Sequence, residues 1–135
     1  EVDIRKPFRV IMRYELRQPV PVAPYPNFHF LDTRGEVAFV SCSGQYDGSS
    51  GTEPGVYIAR CEVPGHLLNS ETYFIGLALT FTHPSIHVSY FERDALAVVL
   101  VDPIDETLDS LRCGYSGPMP GIIRPRLDWS IHRHS

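Results

Sequence analysis

Alternation of apolar and polar residues at a period of two recurs along this chain, and it limits the fold more than any other feature. From Phe8 to Arg17, Phe8, Val10, Met12, Tyr14 and Leu16 alternate with Arg9, Ile11, Arg13, Glu15 and Arg17. One apolar face at that repeat is the mark of a half-buried strand. Thr72 to Thr82 repeats the pattern, with Tyr73, Ile75, Leu77, Leu79 and Phe81 on one face and Phe74, Gly76, Ala78, Thr80 and Thr82 on the other. The outer face of that strand is therefore made mostly of small residues. In Val56 to Val63, Tyr57, Ala59, Cys61 and Val63 oppose Val56, Ile58, Arg60 and Glu62. Shorter strands are expected at Phe28 to Asp32, Glu36 to Ser43 and Leu96 to Asp102, and Ile122 to Ile131 closes the set. No window sustains a helical period, so helix is confined to a turn or two at His66 to Asn69.

These segments predict an all-β antiparallel sandwich of about seven to nine strands, with Tyr14, Tyr57, Ile75, Leu77, Leu79, Leu96, Val98 and Leu100 inside. Its connections are punctuated accordingly. Arg34-Gly35 suits a tight hairpin turn, and Pro19, Pro21, Pro24 and Pro26 make a stiff crossing between the first two strands. Gly44 to Gly51 is polar and glycine-rich, and reads as a mobile surface loop.

The 135 residues, 43% of them hydrophobic, suffice for one domain, 1–135, with a sizeable core. A formal charge of −4 argues against nucleic acid as the main partner, because phosphate binding draws on a concentrated basic surface. No apolar run approaches the ~20 residues needed to span a bilayer, and no signal peptide is present at Glu1-Val2-Asp3. The lack of an initiating Met points to an excised fragment or a processed chain. Cys42, Cys61 and Cys113 are odd in number and widely spaced, which fits reduced thiols in the cytosol; Cys61, on the Tyr57 face, is expected as a small core residue.

Metal and catalytic chemistry find little support. His83 and His87 are separated by Pro84 in a β context, His132 and His134 sit in a terminus expected to fray, and His29, alternating with Asn27 and Leu31, faces either a ligand or solvent. Gly114-Tyr115-Ser116-Gly117 falls short of a nucleophile elbow and reads as a turn. Asp102, Asp105, Glu106 and Asp109, beside Pro103, read as a solvated loop rather than paired catalytic carboxylates. No Gly-x-x-x-x-Gly-Lys-Ser/Thr occurs, so ATP hydrolysis by a P-loop is excluded for this chain, and no cofactor is implied.

Five motifs in order carry a family resemblance: Pro54-Gly55-Val56-Tyr57; Cys61 to Asn69 (Cys-Glu-Val-Pro-Gly-His-Leu-Leu-Asn); Tyr73 to Leu79; Glu92-Arg93-Asp94-Ala95-Leu96 running into Val101-Asp102-Pro103; and Gly121 to Trp129. Over most of its length the chain resembles the C-terminal domain of Wzt, the nucleotide-binding subunit of ABC transporters that export O-antigen polysaccharide. The resemblance implies an immunoglobulin-like β-sandwich that binds the often chemically capped non-reducing end of a lipid-linked polysaccharide without catalysis. It also implies a homodimer made by exchange of C-terminal strands. It further implies a preceding ATPase domain that contacts the transmembrane subunit, and a cytoplasmic location at the inner face of the inner membrane. The Gly44 to Thr52 loop and the His-rich tail have no counterpart in it.

A sugar site needs aromatic rings against C–H faces and planar polar groups forking onto hydroxyls, and an anionic cap would call for Arg. By alternation the outward candidates are Phe74 and Thr80 around the small residues of one strand, Arg60 with Glu62 on another, and Arg124, Arg126 and Asp128 on the last. Trp129, on the Leu127 face, is expected in the core or a dimer interface. Two other readings are a sandwich that only dimerises a larger protein and a small carbohydrate-active enzyme.

Overall fold

The computed structural model describes residues 1–43, 51–105, 107 and 110–134. The loop expected at Gly44 to Gly51 lies outside them except for Gly51, as do Glu106 and Asp109 of the acidic cluster. Among the described residues the fold is carried by seven strands: β1 (Val2–Asp3), β2 (Phe8–Leu16), β3 (Tyr25–Leu31), β4 (Val37–Cys42), β5 (Gly55–Val63), β6 (Thr72–Phe81) and β7 (His87–Val101). They form a five-stranded sheet in the order β1-β7-β6-β3-β4 and a two-stranded sheet of β2 and β5. All pairings are antiparallel except the two-residue β1 beside β7. The architecture is the expected β-sandwich.

The period-two faces explain the core. Val10 and Met12 of β2 and Val63 of β5 meet Phe28 and Phe30 of β3, Tyr73, Ile75 and Leu79 of β6, and Leu100 of β7. Phe30 is fully buried, stacking on Phe39 at a centroid distance of 4.4 Å and tilted against Phe8 at 6.4 Å across the sheets. Tyr14 and Tyr57, directly opposite in the β2–β5 register, stack at 5.4 Å. At the β3–β4 hairpin, Gly35 takes φ +83°, and Asp32 accepts backbone hydrogen bonds from Arg34 and Glu36 at 2.9 and 3.0 Å. The turn at Arg34-Gly35 is thus built by an Asx carboxylate and a left-handed glycine.

Several expectations fail for identifiable reasons. Ile122 to Ile131 is not a strand: Ile123 makes one bridge to Leu68, and the chain beyond it runs without a β partner in the described residues. Leu127, Trp129 and Ile131 are 65%, 85% and 91% exposed, so Trp129 is no core residue. Leu96 is not inside either. It lies opposite Ile75, but β1 covers only Leu100 and Val101 of β7, and Leu96 stays half exposed. No helix forms at His66 to Asn69, where His66 is left-handed and Leu68 bridges Ile123. Pro26, assigned to the crossing, is inside β3, and the strand expected from Leu96 begins at His87. Cys61 is only partly buried, at the margin of the core.

Candidate functional site

The outer face of the five-stranded sheet has a floor of small residues because Gly76 and Ala78 occupy the middle of β6. The register sets Asn27 and His29 of β3 opposite Ala78 and Gly76, and Phe91 of β7 opposite Ala78 from the other flank. Residues paired in this way share a face. Asn27 and Thr80 are both buried, and Asn27 Nδ2 donates to Thr80 Oγ1 at 3.0 Å. That leaves Asn27 Oδ1, 2.9 Å from His29 Nε2, to accept the imidazole N–H. Phe91 meets the imidazole edge-on, with centroids 5.5 Å apart and planes at 85°, and remains 51% exposed. The Thr80–Asn27–His29 chain therefore holds a polar ring in one orientation beside an open phenyl face.

Gly76 divides this surface. A Cβ there would lie 2.6 Å from the Arg93 carbonyl oxygen and 3.2 Å from that of Glu92, so only glycine fits. The cause is a bulge in β7: Leu77 pairs with Glu92 but Ile75 pairs with Leu96, so extra residues oppose Gly76 and the chain crosses over it. On the Phe74 side of the crossing is a cavity of about 320 Å³ whose lining includes Thr33, Gly35, Phe74, Arg93 and Asp94.

The six residues predicted from alternation do not converge. Phe74 and Thr80 share this face, but Thr80 is buried and engaged by Asn27. Arg60 is exposed on the other sheet, and its expected companion Glu62 is paired with Arg9. Arg126 and Asp128 lie on the exposed C-terminal arm. Arg124 does not point outward at all: only 9% exposed, its Nη1 donates to Asp102 Oδ2 at 2.6 Å and its Nη2 to the Ser110 carbonyl at 3.2 Å. Arg112 donates to the same Asp102 oxygen from Nε and Nη2 at 2.8 and 2.6 Å, and its Nη1 holds the carbonyls of Tyr115 and Gly117. Asp102 is thus a buried ion-pair hub and not part of a solvated loop. Burial pushes its carboxyl up, but the hydrogen bonds and charges of Arg112 and Arg124 outweigh that and hold it below the ordinary carboxylate value. The turn expected at Gly114 to Gly117 lies slightly earlier, at Arg112 to Tyr115, where Tyr115 N donates to the Arg112 carbonyl at 2.9 Å.

Alternation in the sequence marks His29 with Asn27, but it does not mark Phe91, Arg93 or Asp94 as members of this face. The bulges in β7 break the alternation from His87 onward, so no period-two signal could have found them.

A second cavity, of about 820 Å³, opens between the β6–β7 pair and the edge of β2 that has no strand partner among the described residues, with Met12, Tyr14, Leu77 and Leu79 among its lining. Among the described residues no group of three or more His, Cys, Asp or Glu side chains could hold a metal ion. Nor is any helix among them long and apolar enough to cross a membrane.

No family model matches this sequence. No curated protein matches it either. Among solved structures, the crystal structure of the C-terminal domain of Wzt superposes with a TM-score of 0.71 at 12% identity, over 97% of this chain and 73% of that one. The likeness is one of architecture, and it agrees with the family resemblance carried by the five sequence motifs: the chain has the fold of the C-terminal domain of Wzt.

Proposed function

We propose that this domain is a non-catalytic carbohydrate-binding module, which takes the non-reducing end of a lipid-linked O-antigen polysaccharide for export by an ABC transporter. One observation carries the reading: on an outer sheet face whose small residues Gly76 and Ala78 lie buried under their neighbours, Phe74 and Phe91 offer rings and the His29 imidazole is tied to Asn27. Aromatic faces beside oriented hydrogen-bonding groups match the alternating C–H and hydroxyl surfaces of a sugar. The shared fold and the sequence motifs supply the transport context. In that context the domain follows an ATPase domain, works in the cytoplasm at the inner face of the inner membrane, and reaches the transmembrane subunit through the ATPase.

The same reading includes a homodimer. Among the described residues sheet β2–β5 has two strands and β2 has an unpaired edge, and the 820 Å³ cleft behind it is lined by Leu77 and Leu79. The arm beyond Arg124 carries Leu127, Trp129 and Ile131 into solvent. An exposed apolar arm and an open strand edge are liabilities that pairing with a second copy removes. Calorimetric titration with O-polysaccharide hydrolysed from the lipopolysaccharide of the producing bacterium tests the glycan reading, and saturable binding supports it. A stable dimer that never binds polysaccharide would leave a dimerisation module in its place.

A further inference from the structure

Resting on the carbohydrate-binding reading, we infer that the 320 Å³ cavity beside Phe74 is a subsite for one uncharged sugar ring bearing adjacent hydroxyls, forked by Arg93 and Asp94. The cavity is at the small end of the roughly 300–1,000 Å³ typical of ligand pockets, which suits a single ring better than a length of chain.

Its polar groups divide into two kinds. Asp32 is consumed by the hairpin: it accepts from the backbones of Arg34 and Glu36 and from the Arg34 guanidinium at 3.1 Å. Burial pushes the Asp32 carboxyl up, but these bonds leave it lowered overall and ionised at neutral pH. Thr33 is likewise tied, its Oγ1 donating to Glu71 Oε1 at 3.1 Å. Arg93 and Asp94 are different. Both are exposed, and among the described residues neither side chain has a hydrogen-bond or ion-pair partner. A planar guanidinium and a carboxylate next to each other supply donors and acceptors to vicinal hydroxyls, each of which can give one bond and take another.

The walls fit the same ligand. Phe74 is half-buried in β6, so its ring is held in place and can cover the C–H side of a sugar. Gly35 also lines the cavity, and its Cβ position would lie in ordinary contact, 3.6 Å, with Arg93 Nη2. Charge decides between neutral and anionic sugars. Asp94 sits beside Arg93 in the lining, whereas the buried Asp32 carboxylate is paired with Arg34, so an acidic ligand would meet repulsion from Asp94 as well as attraction from Arg93.

The test is titration of the O-polysaccharide into 15N-labelled wild type, Phe74→Ala, Arg93→Ala, Arg93→Lys and Phe91→Ala, followed by amide shifts. The subsite predicts shifts centred on Thr33 to Gly35, Phe74 and Arg93-Asp94. It also predicts a loss of about tenfold or more in affinity for Phe74→Ala and Arg93→Ala, with Arg93→Lys failing to restore binding because it keeps the charge without the fork. Raising salt from about 50 mM to about 500 mM should change wild-type affinity less than about twofold. Strong salt weakening would overturn the neutral assignment. Wild-type affinity in both Phe74→Ala and Arg93→Ala, with loss in Phe91→Ala, would overturn the subsite while leaving the carbohydrate-binding function standing. No saturable binding by the wild type would remove the functional reading and the subsite with it.

Discussion

Arg124 donates from Nη1 to Asp102 Oδ2 at 2.6 Å at the point where the folded body gives way to the C-terminal arm. The pair is reinforced from both sides: Arg124 N donates to the Leu67 carbonyl at 2.9 Å, and Asn69 Nδ2 holds the carbonyls of Met119 and Gly121. Asp102 also ties Arg112, so one carboxylate anchors both the 110–117 turn and the root of the arm.

Asp102→Asn should therefore cost about 3–5 kcal/mol, because two buried guanidinium groups lose their countercharge. Acid should act in the same direction. The Asp102 carboxyl is held below its unfolded value, so its contribution to stability is complete above about pH 4 and is lost as pH falls through the lower folded value. Urea denaturation of both proteins from pH 7 to pH 3 checks this: the wild type should lose stability at the acid end, and the variant should show a smaller acid loss.

Removing residues 125–135 leaves the Arg124 anchor in place and takes away Leu127, Trp129 and Ile131. Light scattering should report a dimer for the intact chain and a monomer for the truncated one, with the urea midpoint of the body little changed. Truncation after Gly121 should behave differently, because it also removes Arg124 and leaves Asp102 with half its countercharge.

On the outer face, Phe91→Ala and His29→Ala should each weaken polysaccharide binding by about 1–3 kcal/mol, through a lost ring contact or a lost oriented hydrogen bond. Arg60→Ala and Arg126→Ala should bind as the wild type does, since neither side chain is on that face. Calorimetric titration of the four variants separates an outer-face site from one built on the other sheet or the arm.

In the core, Phe30→Ala should cost about 3–5 kcal/mol, as a fully buried aromatic truncation. Leu77→Ala should sit at the low end of about 2–5 kcal/mol, because Leu77 already borders the open cleft rather than closed packing. Gly76→Ala should be destabilising by about 1–3 kcal/mol although it adds only a methyl group, since that methyl would meet β7 backbone that cannot swing aside. Chemical denaturation of the three variants gives the ranking directly.

Periodicity alone determined the sandwich. Alternation over β2, β5 and β6 assigns each residue to a face by local geometry, and Val10, Met12, Val63, Tyr73, Ile75 and Leu79 are buried as that rule requires. It also placed Phe74 and Thr80 on a common outer face. Three outcomes rested on contacts between segments far apart in sequence, which no local pattern encodes. Arg124 reads as an outward residue by alternation, but Asp102, 22 positions earlier, draws it inward. Ile122 to Ile131 has the composition of a strand, yet a strand exists only where a neighbour supplies hydrogen bonds, and among the described residues only Leu68 offers one bridge. Phe91, Arg93 and Asp94 reach the candidate site because bulges in β7 shift its register against β6, and such shifts erase the period-two signal from which faces are read. The face a side chain takes follows local alternation wherever the ladder is regular; where it is interrupted, only the tertiary pairing decides that face.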